Sequence, residues 1–108
     1  MVIVMVTAWF PHAKASEAGK MFIETSKKFP EDKSLSKQLL NNAISATKEG
    51  YKVISAYEVK EGKLKEYTAR LHKFLIFVAQ GIEGYKYEVE TMSSIFEAMD
   101  ILGLKPPE

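Results

Sequence analysis

Gln38-Leu-Leu-Asn-Asn-Ala-Ile-Ser-Ala-Thr47, followed by Lys48-Glu-Gly50 and then Tyr51-Lys-Val-Ile-Ser-Ala-Tyr-Glu-Val59, is the stretch on which the fold turns. Leu35, Leu39, Leu40, Ala43, Ile44 and Thr47 fit a helical stripe, and periodicity alone favours a helix. Three features argue for a strand. Asn41-Asn42 suit a helix interior poorly, because their short amides compete for the backbone. Lys48-Glu49-Gly50 is a short Gly-containing connection, and residues 51–59 are rich in aromatic and β-branched side chains. The sequence therefore predicts a β-hairpin of residues 40–47 and 51–59.

Working outward, Val2-Ile-Val-Met-Val6 is an unbroken apolar run closed by Trp9-Phe10-Pro11. It predicts a strand buried on both faces, hence a central one. It lacks a basic flank and a small-residue cleavage site, which argues against a signal peptide. Between Ala13 and Phe29 the pattern turns helical, with Ala15, Ala18, Phe22, Thr25 and Phe29 on one stripe. Lys27-Lys28 suit the negative end of that helix, and Pro30 stops it. Residues 30–37 read as a polar loop. Past the hairpin, Lys63 to Gln80 carries a second stripe of Leu64, Tyr67, Leu71, Phe74, Leu75 and Val78, ended by Gly81. Residues 82–91 then read as a fourth strand with Tyr85, Tyr87 and Val89 on one face. Ser94 and Glu97 form a capping-box pattern before a short helix, Ile95 to Leu102. Residues 104–108 are a tail.

The order is strand–helix–strand–strand–helix–strand plus a C-terminal helix. This predicts an α+β fold, a βαββαβ sandwich whose antiparallel four-stranded sheet has the order 4-1-3-2. The 108 residues fit one domain, 1–108. Val4, Val6, Val53, Phe22, Leu71 and Phe74 are the expected core.

Composition narrows the function. Fifteen Lys+Arg against fourteen Asp+Glu leave a formal charge of +1, so the basic footprint of a nucleic-acid binder is missing. The absence of Cys excludes a disulfide scaffold, thiol catalysis and Cys-based metal sites, and points to the cytosol. No apolar run approaches the length of a membrane span. No phosphate-cradling Gly-rich loop and no nucleophile elbow occurs.

Gly50-Tyr-Lys-Val-Ile-Ser-Ala-Tyr-Glu-Val59 running into Gly62-Lys-Leu64, with Ile82-Glu-Gly-Tyr-Lys-Tyr-Glu-Val-Glu90 and Glu97-Ala-Met-Asp-Ile-Leu-Gly-Leu-Lys105, resembles the dimeric α/β-barrel branch of the ferredoxin-like fold. The resemblance spans the whole chain and implies small prokaryotic proteins of unassigned function. The superfamily holds monooxygenases, isomerases, dehydratases, haem-binding members and proteins without known activity, so it implies a fold and not a reaction.

Two function classes follow. The first is a cytosolic homodimer that binds a small hydrophobic or aromatic ligand without catalysis. The second is a cofactor-independent enzyme, monooxygenase- or isomerase-like. Candidate acid–base groups are His12, His72, Glu58 and Glu88. Of the aromatics Trp9, Tyr51, Tyr57, Tyr67, Tyr85 and Tyr87, the candidate ligand contacts are Trp9, Tyr57 and Tyr87. His12 and His72 are too far apart for a short metal-binding spacing, so no metal and no cofactor is expected. Two sheets packed face to face would bury the apolar side chains of the first strand and enclose a cavity between them. The competing cover is the C-terminal helix, folded back through Ile95, Phe96, Met99 and Leu102. A His within hydrogen-bond reach of a buried carboxylate would favour the enzyme.

Overall fold

In a computed structural model, which describes residues 2–105, the decisive stretch is a strand. Ser36–Thr47 (β2) pairs antiparallel with Gly50–Val59 (β3), joined through Lys48-Glu49. The strand begins four residues earlier than the sequence pattern predicts. Leu35 and Ser36 are buried, and the Lys60 amide donates to the Leu35 carbonyl at 2.9 Å, so burial overrides the polar look of this segment. Pairing slips twice, between Gln38 and Leu40 and between Leu40 and Ala43. Asn42 lies within the second slip at φ 45°, a left-handed conformation that Asn tolerates better than most residues. The Asn pair that argued against a helix thus sits at the irregular part of the strand.

Val2–Phe10 (β1) lies between β3 and Lys86–Ser93 (β4), antiparallel to both. Across the sheet the order is β2-β3-β1-β4, which is 4-1-3-2 counted from the opposite edge. The fourth strand is shorter at its start than residues 82–91 would give. Ile82 is buried at the end of the preceding helix, and the Tyr85 amide returns to the Ile82 carbonyl at 3.2 Å through Gly84, whose φ is +84°. A tight turn occupies those residues, leaving Lys86 as the first to pair.

Among the described residues there are three α-helices: Ala15–Lys28 (α1), Leu64–Gly81 (α2) and Ile95–Ile101 (α3). A 3₁₀ turn at His12–Lys14 leads into α1. Ser94 accepts from the Glu97 amide at 3.2 Å, the N-cap bond that the sequence predicts. Of the expected tail, residues 106–108 lie outside the described ones.

Alternation gives the sheet two unlike faces. Val4, Val6, Ala8 and Phe10 point toward α1 and α2, opposite Tyr57, Ser55, Val53 and Tyr51 of β3. Ile3, Met5, Thr7 and Trp9 point the other way. The core gathers Val4, Leu35, Val59 and Tyr67, with Val2, Tyr57, Leu71 and Val89 packed against them. Val4 and Val6 are buried as expected, whereas Val53, Leu71 and Phe74 are half-buried. Phe22 departs outright, with 49% of its surface exposed. Phe22 faces an open space between α1 and the sheet, whereas Thr25 of the same stripe is fully buried.

Candidate functional site: a cavity between helices and sheet

That open space is a cavity of about 810 Å³, inside the range of small-molecule sites. Its floor is the helix-facing side of β1 and β3, and its walls are α1 and α2. Phe10, Phe22, Phe29, Leu71, Phe74 and Leu75 supply apolar surface, and Tyr51, Tyr67 and Tyr85 add rings. Phe29 meets Phe74 and Phe77 edge-on or tilted at about 6 Å, which anchors the end of α1 to α2. The cavity stays open where α1 stands over the sheet, because Ala15, Ala18 and Gly19 present little side-chain volume there.

One end is polar. Gln38 Nε2 donates to the Tyr57 hydroxyl and to Asn41 Oδ1, each at 3.2 Å, and Asn42 Nδ2 donates to the same Asn41 oxygen at 3.0 Å. The Tyr57 and Tyr67 rings lie 5.8 Å apart. Burial pushes the Tyr57 and Tyr67 phenols up from their ordinary value, and it pushes the Tyr85 phenol up to about 12. All three remain neutral donors at physiological pH. The charged side chains along the rim are largely engaged. Arg70 donates to the Pro30 carbonyl. Asp32 accepts from the Ser34 hydroxyl and the Ser34 amide, which hold its carboxyl below the usual carboxylate range.

The sequence-derived candidates scatter around this cavity. Tyr57 lines it. Tyr87 lies on the same face of the sheet, paired with Ala8 and 6.2 Å from the Tyr85 ring, but is not part of the lining. Trp9 is on the opposite face, between Lys52 and Lys86. Glu58 and Glu88 share that face, beside Ile3 and Thr7, and no ion pair among the described residues joins them to Lys52, Lys60 or Lys86. His12 is exposed, with Nε2 at 2.8 Å from the Thr47 carbonyl and its ring edge-on to Tyr51. His72 is exposed on α2, with Nδ1 at 2.8 Å from the Thr68 carbonyl of its own helix. Neither imidazole reaches a carboxylate among the described residues. Among the described residues no three His, Asp or Glu side chains gather as a metal site, and no helix is long and apolar enough to cross a membrane.

Sequence reasoning missed Gln38, Ser55 and Arg70 as cavity residues. Gln38 was hidden in the segment before the expected strand. Its signal emerges only with the strand register, which sets it opposite Tyr57.

The sequence matches no protein-family model and no curated protein. Solved structures share the fold. A dimeric ferredoxin-like protein from an uncultured marine organism superposes with a TM-score of 0.58 at 19% identity, over 87% of this chain and 94% of that one. A candidate antibiotic biosynthesis monooxygenase from Caulobacter crescentus gives 0.52 at 22% identity, over 87% and 90%. A point mutant of SnoaB, a cofactor-independent oxygenase from Streptomyces nogalater, gives 0.52 at 12% identity, over 87% and 93%. The chain thus has the ferredoxin-like fold. Likeness at this identity carries architecture and leaves the reaction open.

Proposed function

We propose that the protein is a cytosolic homodimer that binds a small hydrophobic or aromatic molecule, without catalysis, in the cavity between its helices and sheet. The cavity itself carries this reading: about 810 Å³, walled by aromatic and aliphatic side chains, with a few hydroxyl and amide groups at one end. Tyr57 is the candidate ligand contact that the cavity retains. Trp9, Glu58 and Glu88 belong to the opposite sheet face, and we assign them to the dimer contact. Exposed Ile95, Phe96 and Leu102 support that assignment, since of the four side chains expected to fold back over that face only Met99 is half-buried. The alternative, a cofactor-independent oxygenase, draws on the names of two fold neighbours. No His lines the cavity to act as its acid or base.

Native mass spectrometry of freshly purified protein tests ligand and assembly together. A mass of two chains plus a co-purifying small molecule is the expected result. A strictly monomeric spectrum would overturn the dimer. Failure of every neutral aromatic probe to bind saturably would overturn the ligand site. Oxygen consumption with a bound aromatic substrate would favour the enzyme.

A further inference from the structure

Two polar side chains decide where the proton of the Tyr57 hydroxyl can go. The phenol oxygen already receives Gln38 Nε2 at 3.2 Å, and the Ser55 hydroxyl, able to donate or accept, is its other hydrogen-bond partner. With Ser55 donating alongside Gln38, the Tyr57 proton is left for a bound ligand. Gln38 cannot turn away from the phenol. Its amide nitrogen has two protons, and the second goes to Asn41 Oδ1, which Asn42 Nδ2 also approaches. The slips in β2 thus fix Gln38, and Gln38 fixes the direction of the Tyr57 donor.

A second donor lies alongside. The Tyr67 ring sits 5.8 Å from that of Tyr57 on the cavity lining, and its hydroxyl makes no hydrogen bond among the described residues. Neither phenol sheds its proton at neutral pH, since burial pushes both upward. The charge that acts on the Tyr57 phenol is the Glu31 carboxylate, which adds to burial in pushing it upward, while the Arg70 guanidinium acts on Asp32 and donates to the Pro30 carbonyl. A carboxylate placed against Tyr57 would lose hydration and face the like charge of Glu31, which is unfavourable. A neutral carbonyl would meet two waiting donors.

We infer that Tyr57 and Tyr67 form a two-phenol donor site at the polar end of the cavity, selecting an uncharged ligand that presents a carbonyl-type acceptor, with Gln38 as the positioning residue for Tyr57. This inference rests on the ligand-binding reading and narrows it to a chemical class.

Three probes of nearly equal shape separate the two. The neutral ketone 2-acetylnaphthalene, the acceptor-free 2-ethylnaphthalene and the anion 2-naphthoate are titrated at pH 7 into the wild type and into Tyr57→Phe, Tyr67→Phe and Gln38→Leu. The wild type should bind the ketone about tenfold more tightly than the ethyl compound, the scale of a hydrogen bond or two, and more tightly than the anion. Each Phe variant should lose much of the ketone preference while holding the ethyl compound within about twofold, because Phe keeps the ring and its packing. Gln38→Leu should weaken the preference with both phenols still in place, as a positioning role requires. Equal affinity for ketone and ethyl compound, Phe variants that keep the preference, or tighter binding of the anion would each overturn the donor site and leave the cavity reading standing. Saturable binding of none of the three would overturn both.

Discussion

Gly50 has no room for a side chain. A Cβ built there would lie 2.5 Å from the Phe10 carbonyl oxygen, a backbone atom of the central strand, at a φ of +151°. Gly50→Ala should therefore destabilise the fold by more than about 1 kcal/mol in urea denaturation. Gly19 is the contrast: it lies inside α1 with nothing within 4 Å of a built Cβ. Gly19→Ala should stabilise by about 0.4–1 kcal/mol, through the lower entropy of the unfolded chain. Tyr85 gives a pH-dependent prediction. Burial, then the neighbouring Tyr87, raises its phenol to about 12. The folded state consequently holds this proton more tightly than the unfolded state, whose phenol titrates near 10. Its stabilising contribution is complete below about pH 10 and is lost as the pH climbs toward 12. Urea midpoints measured from pH 9 upward should fall less steeply in Tyr85→Phe than in the wild type. Such residue roles were half legible. Tyr57 stood out as one of the aromatics able to line a pocket, but its partner Gln38 depends on a cross-strand register that no local pattern encodes.

At the scale of elements, α1 and α2 have similar amphipathic stripes and unequal burial. Leu75 of α2 is 2% exposed, while Phe22 of α1 is 49% exposed over the cavity. Leu75→Ala should cost about 2–5 kcal/mol in equilibrium unfolding, as a large-to-small change in a packed site. Phe22→Ala should cost a fraction of that, because its ring gives up little packing, and should instead weaken probe binding in the cavity. Equal losses at the two positions would mean that α1 sits down on the sheet and closes the cavity. Periodicity identified both stripes and could not distinguish them, since it reports which way a side chain points and not what lies opposite. The strands divide in the same manner. Asn41-Asn42 marked β2 as no helix, yet its start at Ser36 follows from the burial of Leu35 and Ser36, side chains that looked like loop. The start of β4 was more legible than the prediction made it, because Gly84 marks the turn that delays pairing to Lys86.

At the scale of the whole molecule, the two sheet faces divide the proposed work. The helix side holds the cavity, and the other side carries Ile3, Met5 and Trp9 down its centre with Ile54, Ala56 and Met92 beside them. Carboxylates and lysines border this band: Glu58 opposite Ile3, Glu88 opposite Thr7, and Lys52 and Lys86 flanking Trp9. An apolar band rimmed by charge resembles a protein interface in its layout. A two-fold partner would cover it with the same band, whereas α3 leaves Ile95 and Phe96 64% and 53% exposed and does not serve as its cover. Sedimentation equilibrium at micromolar concentration should give about twice the 12.2 kDa of one chain. Met5→Glu should bring the mass back to that of one chain. It sets a carboxylate next to Glu90, its cross-strand neighbour, in the middle of the band, where association would bury both charges without a cation. The variant should remain folded, because Met5 is only half-buried in the monomer and its side chain lies away from the helix-side core, and circular dichroism would verify that. A wild type that sediments as a single chain would remove the dimer and leave the helix-side cavity, built wholly within one chain, to stand on its own test.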